Sequence, residues 1–142
     1  MTDVTTLPQA TASQLAGGFI YLWVPGAPAT QLIFPAESLI SSGVREAAGT
    51  TDTLVLDDTN GTVRCTNAAA VTVTVPPNAD VAFPIGSFVE IIQDGTGVVT
   101  VSPGSGVTID SRGSLTGSAG QYAVLGIRKV ATNRWILTGD LG

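Results

Sequence analysis

From residue 50 onward the chain alternates between apolar and polar positions. Val71-Thr72-Val73-Thr74-Val75 has a period of two. It predicts a strand with valines inward and threonines outward, stopped by Pro76-Pro77. Gly86 to Gln93 predicts a longer strand, apolar on both faces apart from Glu90. Asp94-Gly95-Thr96-Gly97 follows as a turn, so Val98-Val99-Thr100-Val101 is expected to pair back as a hairpin. Pro103-Gly104-Ser105-Gly106 is a further turn, before Val107-Thr108-Ile109. Tyr122 to Val130 and Arg134 to Thr138 predict a last strand pair, joined by Ala131-Thr132-Asn133. Leu54-Val55-Leu56 and Thr62-Val63-Arg64-Cys65 flank Asp57-Asp58-Thr59-Asn60-Gly61, where Asn-Gly signals a hairpin. About eight strands in roughly 90 residues is the spacing of a β-sandwich or jelly roll.

The first 49 residues read differently. Pro35-Ala36-Glu37-Ser38-Leu39-Ile40 has Pro near the first helical position and an acid in the first turn, so a short helix is expected at 36–42, ending at Gly43. Thr11 to Ala16, before Gly17-Gly18, predicts one more helical turn. The run Phe19-Ile20-Tyr21-Leu22-Trp23-Val24 does not alternate. Such a strand is either buried on both faces within one chain or lies against another chain. An arm this small has little core to cover it. Phe19, Ile20, Tyr21, Leu22, Trp23, Val24, Leu32, Ile33 and Phe34 are therefore the candidate interface. The expected division is an arm at 1–49 and a β body at 50–142.

Composition supports an all-β chain. Among 142 residues there are 19 Thr and 16 Val against 3 Glu and 1 Lys, with 17 Gly and 8 Pro for turns. Hydrophobic residues make up 44% and charged residues 12%, which allows a real core and argues against a solvated disordered chain. There is no His, which removes Ser-His-Asp and Cys-His catalysis and histidine metal sites. Cys65 is the single cysteine, so no internal disulfide forms, and a buried thiol is its plain reading. The net charge of −5 argues against tracking a phosphate backbone, so no nucleic-acid partner is expected. The apolar run at 19–24 is far shorter than the roughly 20 residues of a membrane span. The N-terminus lacks the basic and apolar regions of a secretory signal, which points to assembly in a cytoplasm.

No segment carries an enzyme signature, and neither cofactor nor metal is expected. Asp57–Gly61 has the look of a calcium loop, but aligning its glycine puts Leu56 and Asn67 at two ligand positions that need carboxylates. Gly104-Ser105-Gly106 and Gly117-Ser118-Ala119-Gly120 lack the Lys-Ser/Thr of a phosphate loop. Glu90 is the one acid in a predicted strand interior, where a paired or edge-facing carboxylate is the ordinary reading. Phe88 and Trp135 sit in predicted strands and are expected in the core.

Two stretches resemble structural proteins of tailed bacteriophages. Leu7-Pro8-Gln9-Ala10-Thr11-Ala12, then Phe19–Val24, then Thr30 to Leu39 is similar to a short leucine-proline unit of fibre and decoration proteins, a β-hairpin followed by a helical turn. Val71–Pro76, Phe83–Gln93, Gly97–Val101 and the closing Trp135-Ile136-Leu137-Thr138-Gly139-Asp140-Leu141 are similar to a β domain of the same proteins. The resemblance implies a virion structural protein, often a homotrimer, without enzymatic activity. The chain lacks the long shaft of a tail fibre, which favours a capsid decoration (cement) protein or a short head fibre. The alternative is a tail-fibre or receptor/glycan-binding module, which needs exposed aromatics to stack on sugar rings.

Overall fold

Threonine and valine in alternation make strands here because branched side chains fit a pleated surface with one wet and one dry face. In Val71–Val75 the three valines are buried, Thr72 is exposed and Thr74 half-buried, as the period predicts. The structure, a computed structural model, describes residues 43–142 and the backbone of strands Phe19–Leu22 (β1) and Leu32–Pro35 (β2). The expected helix at 36–42 and helical turn at 11–16 lie outside the described residues. The chain divides into Met1–Ser41 and Ser42–Gly142. In the first unit, β1 and β2 pair antiparallel with Tyr21 opposite Ile33.

The second unit is all-β. Its strands are β3 (Val44–Ala47), β4 (Thr51–Thr53), β5 (Thr62–Cys65), β6 (Val71–Val75), β7 (Phe88–Gln93), β8 (Val99–Pro103), β9 (Thr108–Ser111), β10 (Val124–Ala131) and β11 (Arg134–Gly139). They form a six-stranded sheet, β3-β5-β7-β10-β11-β9, and a three-stranded sheet, β4-β6-β8. The chain alternates between the two sheets as it goes, β3 to β4, β5 to β6, β7 to β8. Each return lays a strand parallel to the one before it. The path is thus a coil of three rungs. Between the second and third rungs the register is offset by 28 residues in both sheets, Thr62 opposite Glu90 and Val71 opposite Val99. One hydrophobic cluster joins both sheets, including Val63, Val73, Ile91, Val101, Leu125, Ile127 and Trp135.

Two expected hairpins are corrected by this path. Val98–Val101 does not pair back on the strand before it; β8 joins the other sheet beside β6. Likewise Leu54–Leu56 and Thr62–Cys65 are not hairpin partners. β4 ends at Thr53 beside β6, Leu56–Asp58 is a 3-10 turn, and β5 lies between β3 and β7. Asn60 does take the left-handed conformation its turn signal implies, at φ 58°. The turn nonetheless carries the chain across the coil rather than back along it.

The crossings stack as closely as the strands do. Asp94–Gly97 lies against 66–70, with Gly95 N–H donating to Cys65 O (2.9 Å) and Gly97 N–H to Asn67 O (3.1 Å). A Cβ on Gly97 would come within 1.9 Å of Ala69 O, so only glycine allows this approach. Above it, Thr66 N–H donates to Ala47 O and Asn67 Nδ2 to Ala48 O.

The last third closes the coil. β10 pairs antiparallel with β7 and with β11, in the hairpin expected around Ala131-Thr132-Asn133. β9 comes earlier in the chain, yet it lies beyond β11 and parallel to it. Trp135 is buried, as expected, edge-on to Phe83 at 5.4 Å between centroids. Phe88 is not a core residue. It is half-buried on the outer face of β7, covering Gly126 and stacked under the Arg128 guanidinium at 5.2 Å. The inward positions of β7 are Val89, Ile91 and Gln93, a polar group that the alternation alone does not anticipate.

Candidate functional site

Charged groups at a crossing must be paired or solvated, and the first rung shows how this chain spends them. The Arg45 guanidinium reaches from β3 to Asp52 on β4 with two hydrogen bonds of 2.9 and 2.7 Å. It also reaches Asp58 in the 3-10 turn at 2.8 and 3.1 Å. Asp58 is buried and accepts the Val55 N–H as well, at 2.8 Å. Donating hydrogen bonds to the two carboxylates raises the Arg45 pKa further above its already high value. The cluster clamps the first crossing, and it gives Asp58, one of the two acids of Asp57–Gly61, a structural role. Glu90 is half-buried and accepts from Thr62 Oγ1 at 3.1 Å, a cross-strand contact within the large sheet.

Two buried polar groups serve the same end. Gln93 Oε1 accepts from Ser118 Oγ at 2.5 Å, and Ser118 Oγ accepts from Val99 N–H at 2.8 Å. The pair fastens residues 116–118 along β8, where Val101 N–H also donates to Thr116 O. Lys129 is buried on β10. Its ammonium donates to Asn78 Oδ1 and to Phe83 O (2.7 Å) and lies 5.9 Å from the Trp135 ring centroid. Burial lowers its pKa. The loop 76–87 is thereby held over the core by a cation that forms no ion pair among the described residues. Cys65 is buried, and burial pushes its thiol up to about 11, which keeps it unreactive near neutrality.

Two features of the body are not absorbed by the fold. The first is the edge of the first rung, open among the described residues. β3 and β4 are the outermost strands of their sheets among the described strands, and both belong to the first rung. Val44 on β3 is 69% exposed. Edge strands carry unpaired backbone donors and acceptors and are ready to be covered. The second is Tyr122. The sequence places it at the start of a strand, but β10 begins at Val124. Tyr122 sits instead in the turn Gly120–Ala123 at φ 69°, with its side chain in solvent. A left-handed conformation costs a residue with a Cβ about 1–2 kcal/mol. Nothing in the alternation signals this, because the period places a side chain on a face and says nothing about a turn that precedes the strand.

Of the candidate interface, Phe19, Ile20, Tyr21 and Leu22 form β1, while Leu32, Ile33 and Phe34 belong to β2. The backbone brings the two groups opposite one another, Ile20 facing Phe34 and Leu22 facing Leu32. Trp23 and Val24 lie outside the described residues. Set against models of known families, against curated proteins and against solved structures, the chain matches none.

Proposed function

We propose that this chain is a structural protein of a tailed-phage particle that acts by binding, as a capsid decoration protein or short head fibre. In this reading the part of the 1–49 arm that precedes β3 docks and oligomerises, and the body, which takes in β3 (Val44–Ala47) as well as residues 50–142, is a β-sandwich wound as a coil of parallel rungs. The supporting observation is the first rung, open among the described residues. β3 and β4 stand at the outer edge of both sheets, at the end of the body that follows the apolar stretches of the arm in sequence. The charged and polar clusters described above bear on the fold and supply no reactive constellation, which suits a protein that works by burying surface. An interface of about 800 Å² per partner is enough for a specific complex. The homotrimer is what the phage resemblance implies, and the partners are sister subunits and the shell.

The test is light scattering of the purified chain beside circular dichroism of a Leu22→Ser/Trp23→Ser double variant. The wild type is expected to be trimeric and the variant to dissociate with its β spectrum intact. A wild-type monomer at micromolar concentration would refute the reading. So would a variant that loses assembly and β structure together.

A further inference from the structure

Tyr122 is the one bulky residue at positive φ among the described residues; the other non-glycine cases are Asn60, Ser114 and Asn133. Its turn is closed by Ala123 N–H on Gly120 O at 3.1 Å, and the third position of such a turn at positive φ belongs by preference to Gly or Asn. A tyrosine held there normally earns its strain through packing. This one is 70% exposed and, among the described residues, takes part in no aromatic pair or cation–π contact. Strain without packing motivates a functional reading.

Tyr122 borders an open depression of about 580 Å³, shared with Gly120, Gln121, Gly139, Asp140 and Leu141. Its frame is rigid. Tyr122 N–H donates to Gln93 O at 2.6 Å, Gln121 Nε2 donates to Asp94 O at 2.9 Å, and Asp140 N–H donates to Val124 O at 3.0 Å. Gly139, at φ 116°, brings its backbone so close that a Cβ would lie 2.3 Å from Val124 O. One carboxylate oxygen of Asp140 accepts a long hydrogen bond from Val124 N–H (3.4 Å), and Oδ1 has no hydrogen-bond partner among the described residues. Gln121 has its amide nitrogen engaged and its Oε1 free. An exposed tyrosine, two glycines and the exposed polar side chains of Gln121 and Asp140 therefore line one open depression. No Lys or Arg lines it.

We propose that the Tyr122–Asp140 depression is a saccharide subsite that takes one neutral pyranose ring. The C–H face of the sugar stacks on the phenol ring, and vicinal hydroxyls donate to Asp140 Oδ1 and Gln121 Oε1. A sugar acid is disfavoured, because its carboxylate would meet Asp140 with no cation to balance it. This subsite goes beyond the particle-binding reading and does not depend on it.

The test uses the full chain on an array of neutral and sialylated glycans, with titration of free glucose, galactose, N-acetylglucosamine and glucuronic acid by ligand-observed NMR. Neutral sugars are expected to bind at millimolar concentration and glucuronic acid at least tenfold more weakly. Tyr122→Gly is expected to lose binding at least tenfold while its melting temperature holds or rises, since glycine relieves the turn. Asp140→Asn is expected to weaken neutral sugars and to narrow the gap to glucuronic acid. Absence of any neutral-glycan signal for the wild type would overturn the proposal. So would wild-type binding by Tyr122→Gly, or a lower melting temperature for that variant, which would mean that the ring packs rather than waits.

Discussion

Replacing Gly97 by alanine tests the stacking of the coil directly. The added Cβ would sit 1.9 Å from Ala69 O and 2.3 Å from Ala69 C, both backbone atoms that cannot swing aside. Ordinary contact lies beyond about 3.4 Å, so the two crossings must separate by more than an ångström. That movement breaks Gly97 N–H to Asn67 O (3.1 Å) and strains Val71 N–H to Val98 O (2.9 Å) at the entrance of β6. Each backbone hydrogen bond contributes roughly 1 kcal/mol, and a partner left unsatisfied costs more. The expected loss is about 2–4 kcal/mol, a large share of the ~5–15 kcal/mol that holds a domain. The assay is urea unfolding followed by circular dichroism, with Gly43→Ala as the control, because a Cβ there meets nothing within 4 Å. Gly97→Ala within about 0.5 kcal/mol of wild type, as ordinary surface changes are, would refute the close stacking.

Other outcomes follow from the same geometry. Trp135→Ala removes the largest fully buried side chain and its edge contact with Phe83, and should lose about 3–5 kcal/mol by thermal unfolding; wild-type stability would take Trp135 out of the core. Arg45→Met leaves Asp58 buried without its cation and should cost about 2 kcal/mol in urea, less than the ~3–5 kcal/mol of a fully buried pair because the guanidinium is one-third exposed. An unchanged midpoint would mean that the clamp contributes nothing. Cys65 ionises near 9 when unfolded and near 11 when folded. Between those values the unfolded chain has released a proton that the folded chain keeps, so stability falls as pH rises through that window. Cys65→Ala should flatten this part of the wild-type curve, and parallel curves for the two proteins would contradict the buried thiol.

Much of the strand content was legible in the sequence, and the pairing was not. Alternation at Val71–Val75 identified both the strand and its dry face. It could not name the neighbour, because threonines outward and valines inward look the same beside β8 as they would in a hairpin. The Asp94–Gly97 turn misled for a related reason. Its glycines signal a close approach, and a hairpin was the nearest candidate, whereas the backbone they approach lies 28 residues earlier in sequence. Residues 62–75 and 90–103 do share a trace of that interval, Val71-Thr72-Val73-Thr74 against Val99-Thr100-Val101-Ser102. Phe88 was misplaced because aromatic character outweighed its position, one step out of phase with Val89 and Ile91. Gln93 and Lys129 had no signal at all, since their partners, Ser118 and Asn78, come from distant loops. Of the features left over for function, the apolar run at Phe19–Leu22 was visible and Tyr122 was not.

The place of β9 beyond β11 sets an order of events. Thr108–Ser111 is synthesised before the strand that will hold it, and its ladder partner Arg134–Leu137 belongs to the final stretch of this sequence. Until β10 and β11 have formed, the large sheet ends at β7, and the inward side chains of Val89 and Ile91 lack the cover of Leu125, Ile127 and Leu137. A nascent or truncated chain ending near residue 131 thus loses more than one strand. It releases β9 and leaves β10 as a raw edge open to pairing with neighbouring chains. Completion of the C-terminal hairpin is the step that separates a folded body from an aggregation-prone one.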